Sequence, residues 1–350
     1  FVNGRYEPAL SRLRDLPRGV VVRSLAEAFS TSREAIEPHL GRLADSRTQP
    51  FTALNTAFLH DGAFVALPEG VALEEPIHLL FVSTAETGAP TVSHPRVLIV
   101  AGERSQLTVV ESFVGLGDEV YFTNGITEIV AGDGAIVDHY RLQRESSGAF
   151  HVARVQVELG RDSRFTSHAI ALGGRLVRND VGVLFGAEGG DCTLNGLYVT
   201  GGRQLIDNHT VIDHARPHGS SRELYKGVLD DASRAVFDGL IVVRPEAQKT
   251  DAQQENRNLL LSEDALVDTK PTLQIHADDV KCKHAATIGQ LDEDALFYLR
   301  SRGLGQEAAR NLMIHAFVND ILDRIKIAPV RAGLECLMFT QLKKHRPGRV

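Results

Sequence analysis

From Pro76 to Gly289 the apolar residues come in runs of four to eight, nearly all closed by Gly, Asp, Asn or His. HLLFVS, RVLIVA, LTVVES, VYFTN, AIVDHY, VARVQVEL, VGVLFG, TVIDHA and VFDGLIVV are examples. Runs of this length bounded by turn formers read as strands, so more than two hundred residues predict strand with almost no helix. After Gly289 the period changes: LDEDALFYLRSRG and GQEAARNLMIHAFVNDILDRIKI place apolar residues at helical spacing.

Ahead of the β region, Phe1 to about Val22 reads as an extended entry with Pro8 and Pro17. In TSREAIEPHLGRLAD, Thr31 followed by Glu34 is a capping-box pattern that predicts a short helix, with Pro38 in its first turns or kinking it. FLHDGAFVAL sets Asp61-Gly62 between two apolar runs and predicts a hairpin. Few two-residue hairpin turns come after it, which weakens a sandwich or barrel. A parallel solenoid, which needs both ends covered, suits a β region with helical segments on either side, although no clean repeat period is visible. The expected division is a mixed N-terminal segment over 1–75, a β core over 76–290 and a helical part over 291–350.

In that last part Leu312, Met313, Ala316, Phe317, Ile321 and Ile325 form a stripe widened by Ile314, Val318 and Leu322. Beyond Pro329, VRAGLECLMFTQLKK spaces Leu334, Leu337, Met338 and Leu342 for a second helix. The two helices read as a cap with a shared core, or as a docking surface for a partner. KKHRPGRV reads as a mobile tail.

Composition narrows the function more than the fold. A formal net charge of -7 with a pI near 6.1 argues against binding to nucleic acid or an anionic membrane. Cys192, Cys282 and Cys336 lie far apart with no CxxC, so a disulfide framework is not expected and a reducing, cytoplasmic setting fits. No run approaches the ~18 apolar residues of a membrane span. FVNGRYEP lacks the basic and apolar segments of a secretory signal.

The chemistry that stands out is Cys282 with His284 in VKCKHA. Two residues apart in a strand, they face the same way and present a thiol and an imidazole together. Two such groups do not complete a closed zinc or cluster site. His209, His214 and His218, spaced by five and four, suit neither one strand face nor a zinc pattern, so they read as hydrogen-bonding or solvated. Cys192 reads as a small buried residue and Cys336 as core filler. No GxxxxGK[ST] loop or GxSxG elbow is present, so no catalytic machinery is read. A β-helical carbohydrate-active enzyme would use Asp207, Asp213, Asp230 or Asp231 as acid and base. It would also want an aromatic groove, yet only 6% of residues are aromatic and Trp is absent. A cupin-like metal enzyme would need three histidines converging in a barrel.

NRNLLLSEDALVDTKPTLQIHADDVKCKHAATIGQLDEDALFYLRSRG and, upstream, NHTVIDHARPHGSSRELYKGVLDDASRAVFDGLIVV resemble the SufB/SufD family of SUF iron–sulfur cluster assembly scaffolds. The likeness runs from about Leu54 to Ile325, and CKHAATIGQLD, with Ala285 where SufB members carry an acid, is nearer the SufD members. The resemblance implies a right-handed parallel β-helix flanked by helical regions, and a further helical segment ahead of the stretch that begins here. It implies a non-catalytic scaffold that pairs with a SufB-like paralogue and engages the ABC-type ATPase SufC through its C-terminal helices. It implies that His284 faces a cysteine of the SufB-like partner and shares iron or a nascent cluster with it transiently, with Cys282 a less secure ligand. A homodimer of the isolated chain is a further possibility.

Overall fold

The computed structural model describes residues 1–13, 15–84 and 90–344, with side chains described up to residue 338. The side chain of Leu342 and the end of the KKHRPGRV tail, to which the sequence gives a helix face and a mobile tail, lie outside the described residues. The chain opens with β1 (Val21–Ser24), α1 (Leu25–Thr31), α2 (Arg33–Ile36), α3 (Pro50–Ala57) and β2 (Gly62–Leu67). Next come β3 (Ile77–Ser83), β4 (Thr91–Ser93), β5 (Arg96–Ala101), β6 (Gln106–Gly115), β7 (Tyr121–Ala131), β8 (Ile136–Arg144), β9 (Phe150–Leu159) and β10 (Arg164–Ala171). The β region continues through β11 (Leu176–Phe185), β12 (Asp191–Thr200), β13 (Leu205–His214), β14 (Ser220–Leu229), β15 (Arg234–Val243), β16 (Asp251–Leu260), β17 (Leu266–Ile275) and β18 (Lys281–Gly289). Three helices close the chain: α4 (Glu293–Ser301), α5 (Gln306–Leu322) and α6 (Ala328–Lys344).

From β5 on, successive strands alternate between two sheets, one ordered β1-β2-β5-β7-β9-β11-β13-β15-β17 with β4 beside β7, the other β18-β16-β14-β12-β10-β8-β6-β3. All pairings are parallel except β1 with β2, and the strands wind into a β-solenoid of about seven turns. Gln106 stands beside Ile136, Ile136 beside Arg164, Arg164 beside Asp191, Asp191 beside Ser220, Ser220 beside Asp251 and Asp251 beside Lys281. The coils are therefore offset by 27 to 31 residues, a repeat hidden from the sequence because the turns differ in length.

Strand parity builds the interior. In β11, Val177, Val181, Val183 and Phe185 are buried inward while Leu176, Arg178 and Asp180 face out. Branched side chains repeated across neighbouring strands fill the space between the sheets at about 25 cal/mol per Å² of apolar surface covered. The outward faces are covered locally. α1 and α2 set Leu25, Ala28 and Ile36 on Leu98 and Phe64 of the first sheet. α5 and α6 lie along the second sheet, where Ile314, Val318, Ile321, Leu322, Leu334 and Met338 cover Tyr140, Ile170, Leu197 and Val228 among others.

Four sequence expectations change here. Asp61-Gly62 is not a hairpin turn: FLH leaves α3, and only GAFVAL is a strand. Asp61 is instead a hub whose carboxylate accepts from Ser24 Oγ (2.7 Å), the Gly62 N–H (2.8 Å) and the Tyr6 N–H (2.9 Å). Gly62 in turn lets β2 come close to β5, since a Cβ there would lie 1.7 Å from the Arg96 carbonyl oxygen. The side-chain cap that forms is Ser24, accepting from the Glu27 N–H, because Thr31 is already the last residue of α1; α2 ends at Ile36, just before the residue preceding Pro38. On α5 the buried stripe is Ile314, Val318, Ile321 and Leu322, while Leu312 is half exposed and Ala316 exposed. Finally, Cys336 is exposed rather than core filler, because the covering face of α6 is that of Leu334 and Met338.

Candidate functional site

β17 and β18 are the last strands of their sheets, so the final coil has a neighbour on one side only. The parity of the preceding coil carries over: Ala252 pairs with Cys282 and Gln254 with His284, and both Ala252 and Gln254 are buried inward. Cys282 and His284 therefore point into the axis of the solenoid at its open end, where in any earlier coil they would be core. Cys282 is partly covered and packs on the interior cluster. His284 is exposed, and no hydrogen bond joins its ring to another described residue. Burial pushes the Cys282 thiol up, against a weaker opposing hydrogen bond from the Ala252 backbone. A metal must then displace its proton, which leaves the imidazole the readier donor.

A proline ordinarily interrupts a strand, yet Pro271 lies within β17, paired with Gly239. A missing N–H is tolerated there because β17 is an edge strand. Inward on the same coil, facing β18, stands Thr269, whose buried Oγ1 has no hydrogen-bond partner.

The polar groups deeper in the solenoid are not singled out by sequence. Glu111, His139, Arg141, Glu145 and His151 are all buried between the sheets. Burial alone would raise the Glu111 carboxyl, but His139, Arg141 and the Thr127 hydroxyl at 2.7 Å hold it below the ordinary carboxylate range. Glu145 is held down likewise, chiefly by His151 at 2.6 Å. Three coils beyond β8 toward the open end, Glu223 faces only an amide and a hydroxyl, those of Gln254 and Thr210, and burial pushes it up to about 7. The signal that could have found these residues is the coil offset: Gln254 precedes His284 by 30 residues and Glu223 precedes Gln254 by 31, as their pairing in register shows.

The three histidines upstream are separated. His209 faces outward, 2.7 Å from Asp207, whose hydrogen bond raises it; His214 is buried inward against Phe185, with its centroid 4.1 Å away; His218 lies in a turn at φ 62°. Asp207 is bound by Arg178 at 2.6 Å and Asp213 by Arg244 at 2.6 Å. Asp230 pairs with Arg310 at 3.2 Å, and Asp231 accepts from the Gly202 N–H at 2.7 Å. Each of these carboxylates is engaged in holding neighbouring coils or the α5 helix, not converging on a groove. Cys192 is buried, and desolvation raises its thiol well above the ordinary value. Among the described residues, no group of three or more His, Cys, Asp or Glu is placed to hold a metal. No described helix is long and apolar enough to cross a membrane.

A parallel solenoid with one coil left open, and a two-donor set on it, defines the class as a stacking β-solenoid protein. Comparison with known proteins gives the family. The SufBD core domain of SUF system FeS cluster assembly matches residues 81–317, and the SufBD protein N-terminal region matches 1–79. An iron-sulfur cluster assembly SufBD family protein of Synechocystis is 39% identical over 342 residues, covering 95% of this chain and 75% of that protein. The iron-sulfur cluster assembly protein SufD of Escherichia coli is 31% identical over 349 residues, covering 99% and 79%. Protein ABCI7, chloroplastic, of Arabidopsis thaliana is 35% identical over 327 residues, covering 91% and 68%. The chain belongs to the SufB/SufD family of SUF iron–sulfur cluster assembly, and its relatives include proteins named SufD.

Proposed function

We propose that the chain is a non-catalytic scaffold subunit of SUF assembly, of the SufD type. It pairs with a SufB-like paralogue through its open last coil and with a SufC-like ABC-type ATPase through its C-terminal helices. The observation that carries this reading is the final coil itself: an unpaired edge on each sheet, with Cys282 and His284 turned toward whatever covers it. Soft thiolate and imidazole suit iron or a nascent cluster, and a thiolate from the partner would complete the set. The cargo is thus iron or an iron–sulfur cluster, held transiently and shared. The same open edges would let two copies pair when the chain is isolated. We assign the cytoplasm as the compartment; no disulfide joins the three cysteines, which fits a reducing setting.

The test is reconstitution of the three-protein complex, read by iron and sulfide content. His284→Ala should fold and assemble normally, because an exposed imidazole adds little to the core, while loading falls about tenfold or more. Undiminished loading sinks the ligand role, and loss of complex formation points to a structural histidine. Cys282→Ala should match His284→Ala if the thiol is a ligand and fall well short of it if the thiol merely packs.

A further inference from the structure

Three inward residues stand side by side across the last three coils of one sheet: Glu223 on β14, Gln254 on β16 and His284 on β18. Gln254 is 2% exposed, and its Nε2 donates to Glu223 Oε2 at 2.7 Å. Glu223 Oε2 is the accepting oxygen of that carboxyl, so the amide turns its NH₂ end inward. The other end, Oε1, is buried and has no hydrogen-bond partner. The facing strand is built around this side chain. A Cβ on Gly239 of β15 would come within 2.4 Å of Gln254 Nε2, so glycine leaves the space the amide occupies. A buried acceptor without a partner is uncommon in folded proteins, and this one lies beside His284 in the next coil.

We propose that Gln254 is a positioning residue for His284: its Oε1 accepts the proton-bearing ring nitrogen of His284 when a partner closes the open end. The other ring nitrogen then carries its lone pair toward the interface. Which nitrogen of an imidazole can bind a metal is set by the hydrogen bond that the other one makes. Glu223 acts one step further in, as the anchor that keeps the amide from turning over. The proposal rests on the reading that His284 meets the cargo.

The experiment uses the complex with the SufB-like partner and compares the parent with Gln254→Met, His284→Ala and the pair Glu223→Gln with Gln254→Met. The pair leaves no carboxyl without its amide, so it covers the case in which the single variant folds poorly. Two readouts are taken: anaerobic titration with Fe²⁺ alone, and histidine-nitrogen coupling in pulsed EPR of the reduced cluster reconstituted from Fe²⁺ and sulfide. Folded Gln254→Met, or the pair, should weaken Fe²⁺ binding by about tenfold to a hundredfold and alter the nitrogen coupling. Parent-like affinity and coupling in either variant, with both lost in His284→Ala, would overturn the positioning role alone. Parent-like affinity in His284→Ala would overturn the ligand reading beneath it.

Discussion

Glu111 and Glu223 both face the solenoid interior and both are buried, but only Glu111 has cationic neighbours. The Glu223 carboxyl, raised from 4.5 to about 7, holds a proton that the unfolded chain gives up, so its contribution to stability declines as pH rises from 4.5 to 7 and is level above that. His168 and His214 act on the other side. Burial lowers both from 6.5 to about 4, so the unfolded chain takes up protons first and stability falls as pH drops from 6.5 to 4. Glu223→Gln should therefore stabilise the protein at pH 8 by up to about 3 kcal/mol and do little at pH 5. Urea unfolding at the two pH values checks this, and an equal gain at both would rule out a neutral Glu223. A second residue-scale feature is the buried Arg96–Glu128 pair, at 2.5 Å. Glu128 also accepts from the Gly41, Leu43 and Ala44 N–H groups, so one carboxylate ties the loop after α2 to the sheet. Nothing in the local sequence around Glu128 marks it, because its partners lie 32 to 87 residues away.

At the scale of elements, the strands were legible because inward and outward positions alternate as the pleat requires, and α4 was legible through its spacing, while its Asp292 cap emerged only in the structure. Periodicity shows that a helix face is apolar but not what covers it. The C-terminal helices, read as a cap or a docking surface, prove to lie lengthwise on the outward face of the eight-stranded sheet. Polar ties fix them there: Lys226 reaches Asp320 at 2.9 Å, Arg324 reaches Asn195 at 3.0 Å and Lys326 reaches Asp138 at 3.1 Å. The other side of this helical part remains open, with Phe297 72% and Tyr298 57% exposed on α4. Removing the chain after Ile327 takes away Leu334 and Met338 but leaves the buried stripe of α5. The truncated protein should keep its β circular dichroism, lose about 3–6 kcal/mol, and no longer co-purify with the SufC-like ATPase. Continued co-purification would count against docking through α6.

The candidate site was half legible, and the reason appears only in the whole molecule. Strand parity placed Cys282 and His284 on one side of β18, but that this side is the interior, exposed because the stack stops, depends on pairings some 30 residues apart in sequence. The same stop leaves β17 and β18 with free edges, whose backbone amides exchange readily with water. Amides of Leu266–Ile275 and Lys281–Gly289 that face the free edge should exchange quickly in the isolated chain and be protected at least about tenfold in the complex with the SufB-like partner. Hydrogen–deuterium exchange measures this directly, and unchanged rates there would place the partner elsewhere.

α5 and α6 together share one cluster with side chains from strands β6 to β16, so their seat is finished only after most of the chain has been made. Val110 leaves the ribosome long before Leu322, and both belong to that one seam. At about 5–20 residues per second the interval is roughly 10 to 40 s. As it passes, Tyr140, Ile170, Leu197 and Val228 add in turn to an apolar band along a growing, parallel-paired sheet with nothing yet synthesised to cover it. The nascent chain is thus most prone to aggregate not at its open tip but along its flank, and a holding chaperone that grips extended apolar surface would find its binding site there.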